Sequence, residues 1–313
     1  MRRDGEWANA PDMEGSISIP PLEAPERAPV QGLVKSGPEP VLELRPNRSF
    51  ALRSSLAAED LRAGLKLWRL IWMLGWLDIR LRYRGSVLGP GWLTLSTAIM
   101  IAALGFLYSQ LFHTNLHAYL PFLALSMVLW NFLSTLVSEA CTCFLQAEGT
   151  IRSIRMPFFL HAGRMLVRNV LVLAHNIPVI VAVFLLLSIY PGATAFIAVP
   201  GFALWLVDGI AIAYLLGIFC ARFRDVPPIV ASVMQIGFFV SPIIWEPTTL
   251  SAKWQHLLPI NPFFTLLEVV RGPLLGNAPS LAVWASAAGY SLAIMLIAWL
   301  LFVRTRHRVA FWI

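Results

Sequence analysis

The apolar positions of this chain fall into long uninterrupted runs. Gly91–Phe112 carries no charge over 22 residues, Ala118–Ser138 none over 21, Val226–Trp245 none over 20 and Ser280–Val303 none over 24. Val170–Tyr190 holds one histidine, His175, and Thr194–Cys220 one acid, Asp208. Crossing about 30 Å of hydrocarbon takes about 20 helical residues, so each run is long enough to span. The runs do not alternate polar with apolar, which excludes barrel strands. The pattern therefore predicts an all-α polytopic membrane protein with six transmembrane helices.

Two segments depart from that pattern. Between Glu59 and Arg84 the basic residues Arg62, Lys66 and Arg69 recur on one helical face, while Leu61, Leu65, Trp68, Ile71 and Trp72 occupy another. A basic, Trp-rich amphipathic helix of this kind lies in the membrane interface. Between Glu246 and Ser280 the chain is too long for a plain loop, and Pro259, Pro262 and Pro273 break it. It predicts two short helices before the last span that re-enter or rest on the outer leaflet. Ahead of all this, the first sixty residues hold 8 of the 22 prolines. Residues 1–58 read as a disordered, Pro-rich cytoplasmic tail, and residues 59–313 as one transmembrane domain.

Composition confirms the class and charge sets the orientation. The chain is 58% hydrophobic and 13% charged, against about 45–50% and about 25% in soluble domains. The net charge of +7 does not point to nucleic acid, because the basic residues cluster beside the apolar runs. Thirteen Lys and Arg precede the first span; Arg152, Arg155, Arg164 and Arg168, then Arg222 and Arg224, then Arg304, Arg306 and Arg308 follow on the same side. Only Lys253 and Arg271 fall on the other. Both termini are expected in the cytoplasm. Cys141, Cys143 and Cys220 are too few for a disulfide framework, and the first two too close for a zinc pair, so no metal site is expected.

The chemistry is sparse. No phosphate-binding Gly-rich loop surrounds any of the three lysines, so the chain is not expected to hydrolyse ATP itself. Glu139, His175 and Asp208 are isolated and do not form a proton relay; a structural role suits each. A membrane enzyme acting on glycolipids would need convergent catalytic groups, which the spans lack. Tyr108, Phe112, Tyr119, Phe122 and Trp245 lie near the outer ends of the spans. They suit interfacial anchoring or stacking on the apolar faces of sugar rings.

Specific residues then suggest a family. Asp78–Trp92 (DIRLRYRGSVLGPGW), Arg222–Trp245 (RFRDVPPIVASVMQIGFFVSPIIW), Arg168–Asn176 (RNVLVLAHN) and Asn261-Pro262 resemble, in order, the ABC-2 type permeases of bacterial polysaccharide exporters. The resemblance extends over about Leu61 to Ile313 and is strongest to the O-antigen exporter permeases of the Wzm type. It implies a homodimer working with two copies of a separate ABC ATPase, which holds the ATP and Mg and carries the phosphate loop. It implies that Gln146–Pro157, with Glu148, Arg152, Arg155 and Pro157, is a coupling helix seated on that ATPase. It makes Leu61–Arg84, with Arg80, Arg82, Tyr83 and Arg84, a gate helix. The implied cargo is a lipid-linked glycan such as O-antigen or capsule polymer. Teichoic acid or a small drug or lipid is the alternative cargo.

Overall fold

A computed structural model describes residues 49–111, 113–154 and 156–313. Among the described residues every regular element is helical: α1 (Phe50–Lys66), α2 (Trp68–Arg82), α3 (Gly91–Leu111), α4 (Leu116–Thr142), α5 (Glu148–Ser153), α6 (Phe158–Leu186), α7 (Ala198–Arg222), α8 (Val226–Val240), α9 (Ala252–Gln255), α10 (Pro262–Leu274) and α11 (Leu281–Trp312). The expected tail lies outside the described residues as far as residue 48. Helix begins at Phe50, nine residues ahead of Glu59, because the Ala-, Leu- and Arg-rich stretch FALRSSLAAEDLRAGLK is made of good helix formers.

The expected interfacial helix is two segments, α1 and α2, joined at Leu67. Ala57, Asp60, Gly64, Ile71, Gly75 and Ile79 are its buried positions. They keep helical spacing, and this face packs on α6. Gly85 and Gly89, at φ +85° and +54°, then turn the chain into α3, a backbone region that glycine enters without strain.

Five helices have the length and apolar character to cross a membrane: α3, α4, α6, α7 with its preceding 3₁₀ turn, and α11. The protein is therefore a multi-pass membrane protein: five of the six expected spans are long apolar helices, and the remaining one is the shorter apolar helix α8. The expected fifth span, Val226–Trp245, is helical only to Val240. Its 15 residues reach about 22 Å, short of the roughly 30 Å core. Pro242 is the cause, since the residue before a proline is pushed out of helical geometry; Ser241 accordingly sits at φ −93° and ψ 149°. Non-helical backbone at membrane depth survives only if its polar groups find partners. Here Arg271 donates to the Pro242 carbonyl, Tyr119 donates to the Ile244 carbonyl, and Asn261 Nδ2 donates to Ser241 Oγ at 3.0 Å.

Helix α4 lies at the centre, against α3, α6, α7 and α8. Its inward rings join a core in which Phe132 stacks on Trp205 at 5.7 Å and Trp130 meets Phe263 edge-on at 5.4 Å. Helix α3 is peripheral and buries only Ile101, Gly105 and Ser109, a stripe one helical turn apart. Of the two short helices expected after the α8 region, α10 is a 13-residue helix capped by Asn261. It is largely buried against α7 and α11. The rest is the four-residue α9 between two 3₁₀ turns. Helix α10 approaches α7 closely at Gly201, where a Cβ would lie 2.6 Å from the Val269 carbonyl oxygen.

Candidate functional site

The basic end of the bundle carries a compact ion network. Arg164 holds Asp78 with two hydrogen bonds, at 2.8 and 2.5 Å. Arg168 bridges Asp78 at 3.2 Å and Glu139 at 3.0 and 2.7 Å. Asn169 Nδ2 donates to the same Glu139 oxygen at 2.7 Å, and Arg82 reaches the other at 3.2 Å. Helices α2, α4 and α6 are thus tied together by three arginines and two carboxylates. Burial alone would raise the Asp78 pKa, but the hydrogen bonds and charges of Arg164 and Arg168 hold it below the usual range. A carboxylate with a depressed folded pKa stabilises the fold above its unfolded value of about 3.9 and loses that contribution as pH falls through the lower folded value. Asp78→Asn should therefore weaken the protein at neutral pH and flatten its acid limb below about pH 3.9, read as thermal midpoint against pH. An acid limb unchanged by the substitution would refute the assignment.

A second hub joins four helices. Asp60 of α1 is buried and caps α6, accepting from the Phe158 and Phe159 N–H groups at 3.3 Å each. Tyr214 of α7 donates to it at 3.3 Å and Arg306 of α11 at 3.4 Å. The expected coupling segment enters this hub directly, since Pro157 is the residue before α6. Within that segment Glu148 and Arg152 form an exposed pair at 3.1 Å, and Arg152 also donates to the Ile313 main-chain oxygen. Arg155 lies outside the described residues. Of the expected gate residues, Arg82 joins the network. Tyr83 closes α2. Arg80 and Arg84 are exposed and form no ion pair among the described residues.

The outer aromatics divide. Tyr119 and Phe122 are buried together with Leu123, and Tyr108 packs on them. Trp245 stands apart, half-buried, and donates to the Phe239 carbonyl at 3.2 Å. Phe112 lies outside the described residues. One face of Phe122 is covered by the Arg271 guanidinium at 4.5 Å, so that face is closed to a sugar ring. Arg271, only 1% exposed, is itself the hub of the end opposite the basic network. It bonds Glu268 at 3.1 and 2.6 Å, Ser126 Oγ at 2.9 Å and the Pro242 carbonyl at 2.5 Å.

Between these two ends runs a neutral polar face that sequence inspection passed over. Asn131, Ser134 and Ser138 recur at i, i+3 and i+7 on α4, and Asn131 and Ser138 are exposed. Asn131 and Ser134 line a cavity of about 350 Å³ with Ser96 and Thr97 of α3 and with Trp130 and Phe238. Gln235, one turn from Phe238, is also exposed. The mark of this face in the sequence is the helical periodicity of Asn131, Ser134 and Ser138, which involves neither charge nor ring. Of the three ionisable groups expected to be isolated, Glu139 instead joins the ion network, held by Arg82, Arg168 and Asn169, while Asp208 and His175 serve packing. Asp208 accepts from Ser291 at 2.7 Å across α7 and α11. The His175 and Asn176 side chains each bond their own helix, at the Leu171 and Val172 carbonyls. The interhelical bond there runs from Thr94 to the His175 carbonyl.

Comparison with known proteins bears on this arrangement. The family model for the ABC-2 type transporter matches residues 69–275, about two thirds of the chain, from α2 through α10. The chain is also 20% identical over 192 residues to the O-antigen export system permease protein RfbA of Myxococcus xanthus, covering 61% of this chain and 74% of that one.

Proposed function

This chain belongs to the ABC-2 type transporter family, and from that premise we propose that it is the membrane subunit of an ATP-driven exporter of lipid-linked polysaccharide in the bacterial inner membrane. The observation that carries the reading is the neutral polar face of α3, α4 and α8. Uncharged hydroxyl and amide groups exposed at membrane depth require a polar neighbour, because lipid offers them none. A second copy of the chain facing the first would enclose these groups around a central path. Such a lining has no fixed charge to trap an ion and many groups to exchange hydrogen bonds with a hydroxylated polymer. The export role named for the Myxococcus xanthus relative points the same way.

The energy comes from a separate ABC ATPase carrying the phosphate loop, ATP and Mg. In the proposed cycle its closure on ATP presses on α5 and the flanking residues Gln146–Pro157 from the cytoplasmic side. Asp60, which caps α6 while bonded to α7 and α11, passes that displacement to three spans at once. A differential fit of the ATPase to the two arrangements is what makes ATP shift the population. Both termini lie in the cytoplasm. A strain lacking the gene should accumulate lipid-linked glycan on the cytoplasmic leaflet and lose surface polysaccharide. Full surface polysaccharide with no internal intermediate would turn the assignment toward teichoic acid or a small lipid as cargo.

A further inference from the structure

We infer that the groove between the α1–α2 segment and the spans α6, α7 and α11 is a binding site for one acyl chain of an anionic phospholipid from the leaflet on the basic side. The groove encloses about 700 Å³ and its walls are almost wholly apolar, with Leu65, Trp68, Trp72, Val207, Trp299 and Phe302 among the lining side chains. Along α7 it runs from Leu206 to Tyr214, about 12 Å at 1.5 Å per residue, against about 15 Å for one leaflet of hydrocarbon. It therefore has the depth of a single leaflet and opens beside the interfacial segment, where a headgroup would sit.

Charge names the occupant. Of the α1–α2 positions that line the groove, Leu61, Leu65, Trp68 and Trp72 follow i, i+4, i+7 and i+11, with Ile71 beside them. Each of the first three is followed at once by a basic residue: Arg62, Lys66 and Arg69. These three are exposed and form no ion pair with any described residue, Glu59 included. The Arg69 guanidinium lies 5.4 Å from the Trp68 ring, which keeps it at the groove mouth. An apolar slot of leaflet depth, edged by a row of unpaired cations, fits a lipid with an acyl tail and a negative phosphate group. A zwitterionic lipid would satisfy the slot but not the row. Bound there, the lipid would brace α1–α2 against the bundle beside the direct packing of Gly75 on Val167.

The test uses the full-length chain in nanodiscs of equal phosphatidylglycerol and phosphatidylcholine, extracted in detergent, with retained lipid read by native mass spectrometry. Two variants accompany it: Arg62→Gln/Lys66→Gln/Arg69→Gln, and Val207→Trp, which fills the groove from a half-exposed position. Unchanged thermal midpoints establish that both variants fold. The wild type should retain phosphatidylglycerol with at least about tenfold preference, and both variants should lose that preference. Equal retention of the two lipids overturns the site. A preference surviving in either variant also overturns it, since the slot or the row would then be dispensable. Retention of an isoprenoid lipid in place of phosphatidylglycerol would assign the groove to the carrier of the cargo and refute the proposal.

Discussion

Arg168→Ala should be among the most destabilising single substitutions in the protein, at about 3–5 kcal/mol. The guanidinium is 11% exposed and supplies bonds to both carboxylates of the basic-end network. Its removal leaves Glu139 dependent on Arg82 and Asn169, and Asp78 on Arg164 alone. Breaking one side of a buried pair costs more than replacing the pair, because the stranded charge keeps its desolvation penalty. The double variant Arg168→Leu/Glu139→Leu should accordingly be more stable than Arg168→Ala, although it removes more interactions. The thermal midpoint in detergent is the readout, with a shift on the order of 10 °C for the single substitution. A double variant as unstable as the sum of its parts would mean that the two residues act independently.

Arg271→Ala should cost a similar amount, about 3–5 kcal/mol, and should also abolish export. This arginine satisfies the carbonyl freed where Pro242 ends α8, neutralises Glu268 and covers Phe122. Without it the break in α8 loses its anchor and Glu268 is left as an uncompensated, mostly buried carboxylate. Arg271→Lys should recover little, because one ammonium cannot reproduce the planar fork that meets Glu268 twice and Ser126 and Pro242 on its other nitrogen. The comparison is thermal midpoint together with glycan export for both variants. A lysine variant that restores both would reduce Arg271 to a positive charge and refute the geometric account.

The all-α membrane class was legible because run length alone separates a spanning helix from a core helix. Several helix starts were also written locally. Pro157 precedes α6, Asn261-Pro262 caps and opens α10, and Ser280 accepts from Val283 N–H at the start of α11. The end of α8 was misjudged although Pro242 was in view, because the count of apolar residues outweighed the breaker. The ion network was not legible. Its pairs are separated by 29 to 90 positions, and no local pattern joins Asp78 to Arg168. In the sequence Arg164 and Arg168 count only toward orientation, whereas in the fold both are committed to carboxylates. The same count left Arg271 on the outer side as a stray charge, whereas it is buried and bonds Glu268, Ser126 and the Pro242 carbonyl. Asp60 drew no notice, since an acid in an amphipathic stretch has no sequence mark that it caps another helix.

The most direct test is transport by the chain together with its ABC ATPase in liposomes whose ATPase side faces outward. Lipid-linked glycan is supplied in the outer leaflet, and its passage is read as protection from an added glycosidase. The account predicts ATP-dependent protection, lost without ATP, and lost with hydrolysis continuing when Arg152→Glu disturbs the coupling segment. Hydrolysis by the wild-type complex with the glycan still fully open to the glycosidase would contradict it.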